Sequence, residues 1–168
     1  MTDRPAPSPL REIDDDAIGL AARLMRGAVH GALAVLEPGS GHPLASRTAV
    51  AVDETGAAII LISTLAAHAG ALQADARCSL LLGEPGKGDP LAHPRVTLIG
   101  SARRLGRDGD ESARARERFL ASHPKSALYA DFADFAFWKI EPERASLNGG
   151  FGRAWQLDRA AIARAAAG

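Results

Sequence analysis

The sequence predicts a mainly β (α+β) domain in which six short strands form an antiparallel barrel flanked by helices. Runs of alternating or uniformly apolar residues recur along the chain, and the connections between them are short and rich in glycine. Strands and helices do not alternate regularly, which disfavours a parallel sheet. An antiparallel barrel fits this pattern better, because closure of the sheet also removes its exposed edges.

One domain accounts for nearly the whole chain. The length of 168 residues suits a single domain with a substantial core, and 46% apolar with 24% charged residues is typical of a globular protein. Residues 1–12 contain Pro5, Pro7 and Pro9 and little hydrophobic pattern. This composition predicts a flexible N-terminal arm ahead of a single domain over residues 13–168.

Bulk charge and cysteine content limit the classes of partner. Lys and Arg together number 20, as do Asp and Glu, so the zero net charge predicts neither a nucleic-acid nor a membrane partner. The start of the chain is polar and acidic, unlike a signal peptide. Together with the single cysteine, Cys78, these features predict a cytoplasmic protein.

The first elements predicted after the arm are an amphipathic helix and a strand. Asp14, Asp15 and Asp16 stand where negative charge stabilises the positive end of a helix dipole. Apolar residues recur at helical spacing as far as Met25, so we expect this helix to bury one face. Residues 31–36 then form an apolar run of strand length.

Residues 43–82 carry the central pattern of strand, turn, strand, helix and strand. Residues 43–52 alternate between two faces, residues 53–56 supply a turn, and residues 57–62 are a buried apolar run. We expect Ser63 or Thr64 to cap the following helix through its hydroxyl. The next strand includes residues 78–82.

The start of that helix carries no acidic residue, which is unusual for a helix first turn. The first acid after the cap is Asp75, near the other end, so the free N–H groups can bind an anion such as a phosphate. His68 falls within about the first turn, and Arg47 on the neighbouring strand can supply a guanidinium. The alternative is an ordinary alanine-rich helix, with Arg47 solvated and His68 filling space.

Three stretches of the sequence resemble the FMN-binding split-barrel family related to pyridoxamine 5′-phosphate oxidase, and within it the heme-utilisation (HugZ-like) branch. They are HPLASRTAVAV, ILISTLAAHAGALQADARCSLLLGEPGKGDPLAHPRVTLIG and HPKSALYADFADFAFWKIEPERASLNGGFGRA. The resemblance covers nearly everything from Gly27 to Ala154. It implies a split barrel with flanking helices, FMN as the cofactor, and a homodimer with FMN at the subunit interface.

The resemblance also implies which residues hold the cofactor. Arg47 matches an arginine that holds the FMN phosphate in the oxidases, and His68 stands where those enzymes have a lysine. The glycine-rich loop after residues 144–147 would approach the flavin closely, or would be a plain turn. The expected cofactor-binding residues are Arg47, Thr48, Ala49, Val50, Ser63, Thr64, His68, Arg95, Gly149, Gly150 and Phe151.

The second half of the chain adds a candidate lid and an aromatic cluster. Arg95 follows a glycine- and proline-rich loop, residues 84–94, and faces either the flavin, the substrate or solvent at the start of a strand over residues 95–104. A charged helix is predicted over residues 110–123, and strands over residues 135–140 and 144–147. The aromatic residues begin at Phe119 and favour either an intersubunit core or a core within one chain.

No residue pattern identifies a catalytic side chain or a metal site. The five histidines lack metal-ligand spacing, and the sequence has no GxSxG motif and no GxGxxG motif after a strand. This fits a flavoprotein, since the flavin itself carries the redox chemistry. We therefore expect an FMN-dependent oxidoreductase that acts on a small redox substrate.

Two alternatives remain open. One is a heme-binding or heme-degrading protein of the HugZ type, which the sequence disfavours because no histidine follows His123 to serve as a C-terminal heme ligand. The other is a non-enzymatic flavin-binding protein.

Overall fold

The computed structural model describes residues 10–168, so residues 1–9 of the expected N-terminal arm lie outside the described residues. The described chain contains eight strands and four α-helices, with short 3₁₀ turns at Pro90–Ala92 and Pro124–Leu128. The strands are β1 (His30–Leu36), β2 (Pro43–Ala49), β3 (Ala51–Val52), β4 (Ala58–Ser63), β5 (Arg77–Leu82), β6 (Arg95–Arg104), β7 (Phe135–Asn148) and β8 (Ala154–Asp158). The helices are α1 (Asp15–Arg26), α2 (Ala67–Ala74), α3 (Asp110–Ser122) and α4 (Arg159–Ala167).

The strands form one antiparallel sheet that curls on itself. Their order is β2-β1-β5-β6-β7-β4-β3, and β8 pairs with β7 outside this path. The two edge strands, β2 and β3, are separated only by Val50, so one segment of chain begins at one edge and ends at the other. Ala49 pairs with His30 of β1, whereas Ala51 pairs with Ile59 of β4. The sheet therefore closes at Val50 and is split where β2 and β4 diverge.

The mainly β architecture is confirmed, but the expected number of six strands is wrong. Residues 43–52 divide at Val50 because the chain changes its pairing partner there. Residues 135–140 and 144–147, predicted as two strands, form the single strand β7. It continues through Pro142 because a bulge opposite Gly100 accommodates the proline. Strand β8 was not predicted.

Two hydrophobic clusters cover the two faces of the curled sheet. The larger fills the barrel and is closed by α1 and α4, with Met25, Trp155 and Ile162 almost fully buried. The smaller packs α3 against the outside, where the rings of Phe119 and Phe137 meet edge to face at 5.6 Å. These large aromatics are therefore buried within one chain, as the interpretation of the aromatic cluster as an intrachain core predicts. Among the described helices, none is long and apolar enough to cross a membrane.

Candidate functional site

The split between β2 and β4 opens into a cavity of about 330 Å³. Strand β2 forms one wall and β4 the other, and the first residues of α2 lie across one end. Ser63 at the end of β4 pairs directly with Phe135 at the start of β7, which brings a distant part of the chain to the same place. The cavity is lined by Arg47, Thr48, Ala49, Leu61, Ile62, Ser63, Ala66, His68, Tyr129 and Phe135.

The structure brings together much of the phosphate site expected from the sequence. Arg47, Ser63 and His68 all line this cavity, as do the β2 residues Thr48 and Ala49. Two other predicted cofactor-binding residues, Val50 and Thr64, do not line the cavity. Val50 is completely buried, and the exposed Thr64 is absent from the described lining.

Helix α2 begins later than the sequence predicts. The residue at its N-cap position is Ala66, which offers no side-chain hydrogen bond, so capping by Ser63 or Thr64 is wrong. The Ser63 hydroxyl instead donates to Asp134 Oδ2 at 2.9 Å, and the Thr64 N–H donates to the Asp134 carbonyl at 2.7 Å. Asp134 thus holds both residues in the turn that precedes the helix. The first turn carries no acid, as expected.

His68 is the half-buried imidazole of the cavity. Its Nδ1 lies 3.2 Å from the Ser46 hydroxyl on β2, and no described residue forms a hydrogen bond with its Nε2. Burial lowers the pKa of His68 below its ordinary value of 6.5, so the ring is largely neutral at pH 7. A neutral imidazole offers one lone pair and one N–H rather than a cationic contact for phosphate.

Arg47 supplies the positive charge of the site. It is exposed on β2, directly opposite Ala32 of β1, and no salt bridge joins it to an acid within residues 10–168. Its guanidinium is therefore available to an anionic ligand at the mouth of the cavity.

The remaining predicted residues form a second group, away from the described lining of the cavity. Arg95 donates through Nη1 to the carbonyls of Leu91 and His93, at 3.3 and 3.2 Å, and so fastens the end of the candidate lid. Gly150 has a positive φ, and a Cβ there would lie 2.7 Å from the Ala92 carbonyl oxygen. Gly149 and the exposed Phe151 belong to the same loop. Within one chain, this group faces the lid rather than the cavity.

Sequence reasoning missed the aromatic wall of the cavity. The Tyr129 and Phe135 rings contact each other at a centroid distance of 4.9 Å with their planes tilted by 50°, and the Tyr129 hydroxyl is 2.8 Å from Ser126 Oγ. Aromatic clustering was the available signal, but it does not reveal that β7 pairs with β4. Only that pairing places these rings opposite the residues of β2.

Comparison with known proteins identifies the family. A family model described as CREG, beta-barrel matches residues 15–161. The chain belongs to this family. The split-barrel fold related to pyridoxamine 5′-phosphate oxidase, expected from the sequence, is thereby confirmed.

Similar proteins include members named for heme. This CREG-family chain is 37% identical over 123 residues to a chloroplastic heme oxygenase, HOZ, of Arabidopsis thaliana, a match that covers 71% of this chain and 36% of that protein. It therefore spans about a third of the length of this curated relative. A heme binding protein from Mycobacterium smegmatis is 33% identical, with a TM-score of 0.82 over 90% of this chain and 62% of that one.

A third similarity concerns the fold alone. A Clostridium acetobutylicum protein of the pyridoxinephosphate oxidase family, related to general stress protein 26, superimposes with a TM-score of 0.68. The match covers 89% of this chain and 99% of the other at 12% identity.

Proposed function

We propose that this protein binds heme in the cavity between β2 and β4. The observation that carries the proposal is the similarity to the mycobacterial heme binding protein, which extends over 90% of this chain at 33% identity. The chloroplastic heme oxygenase supports it independently. These relatives reverse the ranking made from the sequence, in which flavin came first.

The residues of the cavity fit a heme. Leu61 and Phe135, which share the outer face of the sheet, supply an apolar wall for a porphyrin face, and the unpaired Arg47 guanidinium suits a propionate carboxylate. Two apolar side chains next in sequence to the lining residues Ala66 and Tyr129 are exposed, Leu65 to 87% and Leu128 to 79%. A bound ligand or a partner subunit that covered these side chains would remove apolar surface from water.

A second copy of the chain would complete this site. The outward face of β1, β5 and β6 carries small or apolar side chains and no charge over six positions. These positions are Ala32, Ala34, Ser79, Leu81, Thr97 and Ile99. Such an uncharged sheet face suits burial against an identical face in a twofold dimer.

The two groups of predicted cofactor residues border this face at opposite sides. Arg47 lies in the same cross-strand row as Ala32 and Leu81. Arg95 lies two residues before Thr97 on β6, so both side chains are on the same face of the sheet. A twofold partner would therefore bring its Arg95 group towards the Arg47 cavity. Sedimentation at low micromolar concentration should show a dimer, and a monomer that retains its ligand would contradict the shared site.

A hemin titration of the purified protein tests heme binding. We expect a saturable Soret band, and Arg47→Ala should weaken the affinity about tenfold, because a charge-assisted hydrogen bond contributes about 1.5–3 kcal/mol before solvent screening. Arg104→Ala is the matched control, since Arg104 is an exposed arginine at the end of β6 without a described ion pair. Equal weakening by both variants, or no Soret band with the unaltered protein, would refute the proposal.

FMN remains the second candidate, and one observation favours it. The acid-free start of α2, beside Arg47, suits a phosphate. Such a protein would act as an FMN-dependent oxidoreductase on a small redox substrate, or only bind the flavin. The absorption spectrum of the purified protein, followed by titration with FMN and with hemin, distinguishes the two cofactors. For either cofactor, the buried Cys78 thiol, whose pKa burial raises to about 11, suits the expected reducing cytoplasm.

A further inference from the structure

The orientation of His68 is set by the strand across the split. Its Nδ1 contacts the Ser46 hydroxyl at 3.2 Å, and the ring lies among the residues that line the cavity. When Nδ1–H donates to Ser46 Oγ, the lone pair of the imidazole is on Nε2. A metal-bound histidine commonly has this arrangement, in which the second ring nitrogen donates to a fixed oxygen.

The other histidines of the described chain have different surroundings. His123 and His93 each contact a backbone carbonyl through Nε2, at 2.8 and 3.0 Å, and His30 lies 3.5 Å from an acidic side chain. His42 is exposed in the loop between β1 and β2. Of the described residues that line the cavity, His68 is the one with an imidazole.

A heme needs few ligands from the protein. The porphyrin supplies four nitrogens, and one axial side chain is sufficient to hold the iron. No cluster of three or more His, Cys, Asp or Glu side chains suited to a free metal ion occurs within residues 10–168. A single imidazole is therefore consistent with heme iron and unlike a site for a free metal ion.

We infer that His68 Nε2 is the axial ligand of a heme iron in the cavity between β2 and β4, with Ser46 as the residue that positions the ring. This inference rests on the proposed function. It assigns the ligand to the start of α2 rather than to a C-terminal tail. Tyr129 is the competing donor, but its hydroxyl is already 2.8 Å from Ser126 Oγ.

Spectroscopy of the heme complex tests the assignment. In the ferrous complex of the unaltered protein, we expect an iron–histidine stretching band in the resonance Raman spectrum. His68→Ala should abolish this band, shift the Soret maximum and weaken hemin binding at least tenfold, and added imidazole should restore the original spectrum. His42→Ala is the control, since it removes an exposed histidine and should leave all three properties unchanged.

Two further variants distinguish loss of the iron ligand from misfolding of the protein. His68→Gln preserves the size of the side chain and should also lose the band, whereas Ser46→Ala should keep the band but shift its frequency, because the ring loses its fixed hydrogen-bond partner. A band that persists in both His68 variants would refute the ligand assignment and leave heme binding intact, and loss of ligation in Tyr129→Phe alone would assign Tyr129 instead. A protein that binds no hemin at all would refute both proposals.

Discussion

Removal of the His123 ring should loosen the junction at which the sheet closes. His123 follows α3, and its Nε2 donates to the carbonyl of Val50 at 2.8 Å. Five residues earlier, Arg118 Nε donates to the Val52 carbonyl at 2.9 Å. These two bonds fasten α3 to the segment that leaves β1 and joins β4. We therefore expect the width of the split to depend on these contacts outside the cavity.

The magnitude of the effect follows from the contacts that His123→Ala would remove. A buried carbonyl that loses its donor costs about 1–3 kcal/mol, and Val50 is completely buried. The His123 ring also packs on Phe119 at a centroid distance of 4.5 Å, which adds about 0.5 kcal/mol or more. We expect the free energy of unfolding to fall by about 2 kcal/mol, which lowers the melting temperature by roughly 4–8 °C for a domain of this size.

Urea unfolding of His123→Ala measures this loss, with His42→Ala as the matched control on an exposed histidine. Since β2 and β4 diverge at the same junction, the variant should also weaken ligand binding while the cavity residues remain unaltered. A change below about 0.5 kcal/mol, the range of an ordinary surface substitution, would show that α3 does not brace the split.

Two further predictions concern the sheet. Gly100→Ala should destabilise the protein by more than about 2 kcal/mol, because the added Cβ would overlap the facing carbonyl of β7 at the bulge. Gly70→Ala in α2 is the control, since Gly70 has open space around it and the substitution should stabilise the protein by up to about 1 kcal/mol. Equal urea midpoints for the two variants would refute the predicted clash at Gly100. Burial raises the pKa of Asp53, but hydrogen bonds from Thr55 and Lys139 and the charge of Lys139 outweigh it, so the net pKa lies below 3.8. The resulting stabilisation is present above that value and is lost as the pH falls through the folded-state pKa, and Asp53→Asn should remove this part of the acid dependence of urea unfolding.

The sequence was sufficient where the relevant residues are close along the chain. Arg47, Ser63 and His68 lie on one continuous stretch of chain that runs from β2 through β4 to α2, so local patterns were enough to bring them together. The cap of α2 was assigned incorrectly because the hydroxyl of Ser63 bonds Asp134, a residue 71 positions away. Tyr129 and Phe135 were missed for the same reason, since their position depends on the pairing of β4 with β7.

Strand number was also decided by distant partners. Pro142 gave a local signal for a break between two strands, yet β7 is continuous because the register shifts at a bulge opposite Gly100, where a proline is tolerated. Val50 gave no local signal at all. It ends β2 only because the chain exchanges β1 for β4 as its partner, and that exchange closes the sheet.

Whether position 68 carries a lysine or a histidine affects which of the two candidate cofactors the cavity prefers. A lysine there, as the resemblance implies for the oxidases, supplies a point charge for a phosphate. The half-buried His68 is largely neutral at pH 7, so the positive charge of the cavity comes from Arg47 and from the start of α2. The site keeps a place for an anionic group and gains a nitrogen lone pair beside it. Heme carries both anionic propionates and an electron-accepting iron, whereas FMN carries an anionic phosphate and no metal. Hemin should therefore displace FMN from the unaltered protein, and this preference should shrink in His68→Ala while it persists in His42→Ala.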